Sequence, residues 1–330
     1  MLERVTIDRI YLSCQSTDMR RSINGLSIIV KEVFKLDPFI ATLIVFTGCQ
    51  GTFEVDDESS LDNGVEVDDE SSLNSIIEFD DENLERAIRE EINKPTGNVY
   101  FKDVKEIREL ELNANNITDI SVLANLTNLE KLVLAKRSPA LAYDNNITDI
   151  SALSNLTNLE KLLLENTNIT DISPLSNLTN LKWLSLENTN IIDISPLSNL
   201  NNLEKLGLYD NNITDISPLS NLNNLKWLSL ENNNITDISP LANLTELETL
   251  WLRYNNITDI SSLSNMTNLE WLTLRDNNIT DISPLANLTN LERLGLNDNN
   301  ITDFSPLDNL PHINRSRYEK TYDTTQYTNQ

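Results

Sequence analysis

The sequence predicts an α/β solenoid: a right-handed, curved array of stacked turns, with a parallel sheet on the concave side, short turns or 3₁₀ segments on the convex side, and a helical cap in front. Three features carry this expectation. A 22-residue cycle recurs from residue 107 onward, apolar residues alternate over the opening of each cycle, and proline returns at one place in its second half. Self-similarity at a fixed period of this length is the signature of a stacked-repeat architecture.

The cycle reads Leu-x-x-Leu-x-Leu-x-x-Asn-x-Ile-Thr-Asp-Ile-Ser-Pro-Leu-x-Asn-Leu-Thr-Asn, with openings at Ile107, Leu129, Leu159, Leu181, Leu203, Leu225, Leu247, Leu269 and Leu291. These nine turns span 107–310, and an insertion around 137–144 lengthens the second without breaking the register of the rest. In the turn from Leu203, Leu206 and Leu208 alternate with Lys205, Gly207 and Tyr209, the period of a short strand with one buried face. Ile213, Ile216, Leu219 and Leu222 anchor the return path. Pro218 has no N–H to donate, so that path suits a turn or a short 3₁₀ segment better than a long helix. A single turn cannot bury seven apolar side chains alone. Stacked neighbours close a continuous core and line the strands into a parallel sheet; at about 4.8 Å per strand, nine turns give an arc of roughly 40 Å.

The ninth position forms a column of its own: Asn115, Asn145, Thr167, Thr189, Asn211, Asn233, Asn255, Asn277 and Asn299. A buried amide there can satisfy backbone groups orphaned by the bend after the strand. Threonine carries fewer donors, which predicts a weaker ladder at Thr167 and Thr189. The Asn-Ile-Thr and Asn-Leu-Thr triplets match the N-glycosylation acceptor pattern, but they recur as part of the repeat itself and are read as structural.

Ahead of the array, residues 79–106 read as the cap. Asp80 or Asp81 can N-cap a helix whose apolar residues Leu84, Ile88 and Ile92 fall at helical spacing, and Pro95 and Gly97 stop it. Such a segment covers the open apolar end of the first turn. After residue 310 the pattern fails, and 311–330 read as a polar tail. Residues 50–78 form an acidic linker containing a duplicated Glu-Val-Asp-Asp-Glu-Ser-Ser-Leu at 54–61 and 66–73, a composition that predicts disorder.

Composition removes several functions. Lys and Arg number 25 against 51 Asp and Glu, a formal net charge of −26; with no basic face beyond residue 49, nucleic-acid binding is not expected. Seven glycines leave no material for a glycine-rich phosphate loop. His312 is the single histidine, and Cys14 and Cys49 are the only cysteines, too few for a disulfide framework or a Cys-rich metal site. No catalytic residue, metal or cofactor is expected, and a monomer is.

What remains is a surface. Inward leucines leave the third, fifth and seventh positions of each strand facing the concave side. All four tryptophans fall on them: Trp183, Trp227, Trp251 and Trp271. Tyr209 joins them at a seventh position and Tyr254 sits one residue further on. The seventh-position column runs Glu165, Glu187, Tyr209, Glu231, Arg253, Arg275, changing sign along the array. Large rigid aromatics on an exposed face are the usual anchors of a protein interface, and ordered charge holds a partner in register. The expected binding site is therefore Trp183, Tyr209, Trp227, Glu231, Trp251, Arg253, Tyr254, Trp271 and Arg275, in turns four to eight.

The run Leu-x-Leu-x-x-Asn-x-Ile-Thr-Asp-Ile-Ser-Pro-Leu-Ser-Asn-Leu-Thr-Asn-Leu-Glu resembles the 22-residue leucine-rich repeats of bacterial internalins and of the related phosphatase-regulatory leucine-rich-repeat proteins. The segment from 79 to 110 is likewise similar to the helical cap of bacterial surface leucine-rich-repeat proteins. The resemblance implies a solenoid that binds an unknown protein ligand on its concave sheet. It favours a protein over a sugar as the occupant of the aromatic platform.

The amino terminus carries two signals. Arg20, Arg21, Lys31 and Lys35 precede the apolar stretch Pro-Phe-Ile-Ala-Thr-Leu-Ile-Val-Phe-Thr-Gly, too short to span a membrane and of the length of an export signal. It ends in Phe46-Thr47-Gly48-Cys49, which resembles the bacterial lipobox with Cys49 as the acylated residue. Residues 7–39, with Thr-Asp-Met-Arg-Arg-Ser-Ile-Asn-Gly-Leu and Lys-Leu-Asp-Pro-Phe, resemble instead the start of a small accessory protein encoded by bacterial insertion sequences. The expectation is a non-catalytic binding module displayed on the outer face of a bacterial membrane through a lipid on Cys49. The alternatives are a cytoplasmic scaffold like the phosphatase-regulatory relatives and, for residues 7–39 alone, a transposition accessory protein.

Overall fold

The computed structural model describes residues 73–112, 116–134 and 145–313. The expectations for the leader, for the linker over 50–72, for the insertion at 137–144, for Asn115 and for the tail from residue 314 lie outside the described residues; residues 73–78, expected within the disordered linker, are instead ordered, with Ile76 paired to Tyr100 and Ile77 buried in the core.

Nine three-residue strands form one open, curved, parallel sheet in sequence order. They are β1 (Glu109–Glu111), β2 (Lys131–Val133), β3 (Lys161–Leu163), β4 (Trp183–Ser185), β5 (Lys205–Gly207), β6 (Trp227–Ser229), β7 (Thr249–Trp251), β8 (Trp271–Thr273) and β9 (Arg293–Gly295). Each strand pairs with the equivalent residues of the next, so Leu110, Leu132, Leu162, Leu184, Leu206, Leu228, Leu250, Leu272 and Leu294 make one row. A slip of one residue would turn that row outward, which holds the register. Short 3₁₀ helices such as Ser217–Leu219 return the chain on the other side.

The seven apolar positions of one turn, Leu203, Leu206, Leu208, Ile213, Ile216, Leu219 and Leu222, are all buried. At about 1.5–3 kcal/mol for each fully buried aliphatic side chain, hydrophobic burial is the main favourable term, and it exists only once neighbouring turns cover both open faces.

Two devices that carry no apolar side chain shape the turn. Asp215 Oδ1 accepts the N–H of Ser217 at 2.8 Å, and the Ser217 hydroxyl donates back to Oδ2 at 3.0 Å; the same contact to the serine N–H recurs from Asp119 to Asp303. It starts each 3₁₀ helix by satisfying an otherwise free donor. At the end of the cycle, Asn202 donates its side-chain amide to Thr179 O and Asn224 to Asn201 O, tying each turn to the preceding one on the convex side.

The cap is a helix, α1 (Glu82–Glu91), with Leu84 and Ile88 buried against the first turn. Asp81 is its N-cap: Oδ1 accepts from the N–H groups of Asn83 and Leu84, while Oδ2 accepts from the N–H and hydroxyl of Thr118 and the N–H of Asp119. One buried carboxylate thus caps the helix and fastens it to the array. Burial alone would raise its pKa, but the hydrogen bonds from Thr118, Leu84 and Asp119 outweigh it and hold the carboxyl below its ordinary value. A depressed carboxylate stabilises the fold above its unfolded pKa, and that contribution disappears as pH falls through the lower folded value. Asp81→Ala is therefore expected to cost about 1–2 kcal/mol at pH 7 and to speed amide exchange at Thr118 and Asp119. The difference from wild type, read by thermal melting, should shrink below about pH 4; a difference that persists there would show that the charge is not responsible.

Candidate functional site

The asparagine ladder sets the platform from beneath. Asn233 is buried, its Oδ1 accepts from Ile213 N at 3.0 Å, and its amide donates to Leu208 O, Leu230 O and Glu231 O at 2.9, 3.1 and 3.2 Å. Asn211, Asn255, Asn277 and Asn299 make the equivalent carbonyl contacts, and Asn145 spans Leu112 O, Leu134 O and Ile117 N. Thr167 donates only its hydroxyl, to Leu164 O at 2.9 Å, and Thr189 has Leu186 O and Asn211 Oδ1 within reach of its own. Neither threonine offers an amide oxygen to the turn before it.

Just before the ladder residues from Thr167 to Asn299 the backbone enters the left-handed region, at Asn166, Asn188, Asp210, Asn232, Tyr254, Asp276 and Asp298, with φ of 51–58°. Asn and Asp tolerate this conformation. Tyr254 does not share their short polar side chain and adopts φ 55° all the same. Its ring is 45% exposed and carries the Arg253 guanidinium at 4.2 Å.

Above this frame the tryptophans pack into one cluster. Register places Trp227 and Trp271 in the third-position column on either side of Thr249, with Trp251 at the fifth position of the strand between them. The Trp227 and Trp251 rings meet edge to face at 5.3 Å and 77°, and Trp251 and Trp271 at 5.0 Å and 65°. Such pairs are worth about 0.5–1.5 kcal/mol beyond their buried area. Trp271 is the most open of the three, at 36% exposure, with the Arg293 guanidinium 4.8 Å from its ring. Trp183 stands apart, sandwiched by Lys161 at 3.7 Å and Lys205 at 5.0 Å.

The fifth position is less open than its direction in the strand implies. Val133, Ser185 and Ser229 are buried there. Charge divides the seventh column. Glu165, Glu187 and Glu231 lie toward the front, Arg253 and Arg275 behind them, and Arg253 Nε is 3.7 Å from Asp276. Burial, with a smaller contribution from Glu165 and Glu231, pushes the Glu187 carboxyl up to about 7. Burial also raises Glu231, against the opposing pull of Arg253. Of the nine residues expected to bind a partner, the structure brings Trp227, Trp251 and Trp271 into direct contact and joins Arg253 to Tyr254. Tyr209, exposed by 39%, and Glu231 lie in the same column as Glu187. Cys49 lies outside the described residues. Neither the role of Gly207 nor the stacking of Lys161 and Lys205 on Trp183 follows from the repeat pattern. Gly207 could have been found from its singularity, since glycine is scarce here and only Gly207 and Gly295 interrupt the fifth column.

The family model described as Leucine Rich repeats (2 copies) matches residues 141–177, 179–221, 223–265 and 267–309. A second model, IS66 Orf2 like protein, matches residues 8–53, a wider span than 7–39 that takes in the whole apolar stretch and Cys49. A search of curated proteins returns no match. Among solved structures, the chain is similar to an internalin (inlF) from Listeria monocytogenes, with 43% identity, TM-score 0.68, and coverage of 71% of this chain and 68% of that one. It is similar to an internalin C2 from the same organism, with 39% identity, TM-score 0.62, and coverage of 66% and 94%. The leucine-rich-repeat ectodomain of a plant receptor kinase from Arabidopsis thaliana, in complex with Casparian strip integrity factor 2, shares 29% identity and a TM-score of 0.52 over 59% of this chain and 24% of that one. Repeat period, strand register and these relatives together place the chain in the leucine-rich-repeat family, with the internalins.

Proposed function

We propose that this chain is a non-catalytic protein-binding module whose concave face, centred on turns four to eight, engages a protein partner, and that it works on a bacterial cell surface through a lipid on Cys49. The observation that carries the reading is the edge-to-face cluster of Trp227, Trp251 and Trp271 on the concave side of a sheet whose own core is complete without it. Tryptophan and arginine dominate the energetically important positions of protein interfaces; Arg293 stacks on Trp271, and Arg253 and Arg275 occupy the seventh position of the turns that carry Trp251 and Trp271. Support also comes from Tyr254. A bulky residue in left-handed backbone costs about 1–3 kcal/mol, and the equivalent positions show that Asn or Asp would remove the cost. Strain kept where an easy remedy exists is a mark of function.

A cytoplasmic scaffold is the second reading, and a specific observation favours keeping it: the insertion-element model covers the same residues as the export signal. The transposition alternative concerns that segment alone.

Replacing Trp227, Trp251 and Trp271 together by Ala should leave the solenoid folded by circular dichroism and weaken capture of protein partners by roughly thirtyfold or more, from about 2 kcal/mol for a single dominant contact. Cross-linking from cell extracts with wild-type and triple-variant bait compares them directly; the same species captured equally by both would sink the interface. The mass of the mature native protein decides its place, since an acylated Cys49 start gives surface display and an unprocessed Met1 start gives the scaffold. Tyr254→Asn is expected to raise the melting temperature by roughly 2–4 °C, the response of a domain this size to about 1 kcal/mol, while weakening capture. A variant that is no more stable would remove the argument from strain.

A further inference from the structure

The acidic half of the concave face contains a feature the aromatic cluster does not explain. At β5 the fifth position is Gly207, with Ser185 and Ser229 beside it in register. A methyl group added at Gly207 would lie 2.6 Å from Glu187 Oε1 and 3.1 Å from Ser185 Oγ. The space a side chain would take at Gly207 is occupied by the end of the Glu187 side chain, which a larger residue would have to displace. Both hydroxyls are buried, 3% exposed at Ser185 and 1% at Ser229, and neither has a hydrogen-bond partner. A buried polar group without a partner costs about 1–3 kcal/mol, and two of them flank Gly207 in register.

The seventh-position groups beside Gly207 are acidic, and the lysine on its own strand, Lys205, is turned to the Trp183 ring. Glu165 faces Glu187 from the β3 side and Glu231 from the β6 side, with Tyr209 rising from the turn between. The nearby lysines, Lys161 and Lys205, are stacked on the Trp183 ring. Arg253 moderates Glu231. Among the described residues no ion pair is recorded for Glu187.

We propose that the acidic patch formed by Glu187 over Gly207, with Glu165 and Glu231 in the same column and the buried Ser185 and Ser229 hydroxyls beneath, receives a lysine or arginine side chain of the protein partner. The proposal rests on the reading of the concave face as a protein-binding surface and names the chemistry of its front half. A cation set on Glu187 neutralises the crowded carboxyls, and the two hydroxyls can rotate to hydrogen-bond the carboxylate it leaves ionised. The arginines beside the tryptophan cluster then ask for acidic groups further along the same partner, so the bound segment is polar in sequence, basic over β4–β6 and acidic over β7–β9.

The titration of Glu187 gives the test its handle. Its carboxyl is neutral below about pH 7, so affinity for a cation falls with falling pH. Between pH 8 and 6 the ionised fraction of a group at 7 drops about tenfold, whereas lysine stays charged throughout. The probe is pentalysine amide, titrated into the full-length chain at physiological salt and followed by the amide resonances of Ser185, Glu187, Gly207 and Ser229. Saturable shifts at these residues are expected, with affinity about tenfold higher at pH 8 than at pH 6 and lost by about that factor in Glu187→Gln. Gly207→Ala, whose methyl displaces the carboxyl, should weaken binding while Gly295→Ala at the far end does not. Shifts confined to the acidic segment at 54–73, unchanged binding in Glu187→Gln, or equal displacement by calcium in place of lysine would each overturn the proposal. If a captured partner is lost by the triple tryptophan variant but kept by Glu187→Gln, the cation site fails and the binding face stands; if both variants keep it, the face fails as well.

Discussion

The structure depends on one buried side chain per turn. A chain that bends sharply after three strand residues leaves carbonyls and an N–H facing the core, where water cannot reach them. The ninth-position asparagine meets that need across two turns at once. Asn255 takes its acceptor contact from Ile235 and gives its amide to Leu230 O in the previous turn and Leu252 O in its own. Leucine at that position would add apolar area and strand several backbone groups at about 1–3 kcal/mol each. The ladder is therefore what lets hydrophobic burial act through turns this short.

Everything on the concave face inherits its placement from this constraint. Because each bend is the same, equivalent residues stack in columns one strand apart, and a side chain's neighbours are fixed by its position in the cycle. Three tryptophans in two adjacent columns must meet. Glu165 and Glu231, in the same column, add to the rise in proton affinity that burial has already imposed on Glu187. The same regularity makes departures informative. Tyr254 stands in a column of Asn and Asp, and Gly207 stands in a column where its neighbours carry side chains; each departure is costly or purposeless for folding and each lies beside a group suited to binding. Fold and binding surface are thus separable, with the repeat consensus serving the first and deviations from it the second.

Much of this was legible from the residues because the repeat supplies nine readings of the same pattern. Strand, bend and 3₁₀ return follow from Leu206, Leu208, Asn211 and Pro218 with no structural help, and Asp81 emerges as the cap from helix-start chemistry with Asp80 as the rival. The convex contacts were not legible. Asn202 looks like a solvent-facing polar residue until the carbonyl of Thr179, 23 positions back, is placed beside it. Gly207 was equally silent, since its purpose lies in the Glu187 carboxyl of the preceding turn. The amino terminus shows the opposite failing, because an export pattern and a mobile-element pattern occupy the same residues.

Native-state hydrogen exchange of the full-length chain tests the ladder most directly. If the asparagine amides hold the array together, the N–H groups of Ile191, Ile213, Ile235, Ile257 and Ile279, which donate to ladder oxygens, should exchange slowest and with nearly equal protection. Ile147 and Ile169, which face Thr167 and Thr189, should exchange faster by an order of magnitude or more, from the loss of about 1.4 kcal/mol in local opening. Equal protection at all seven, or faster exchange opposite asparagine, would contradict the account and leave hydrophobic stacking alone to explain the fold.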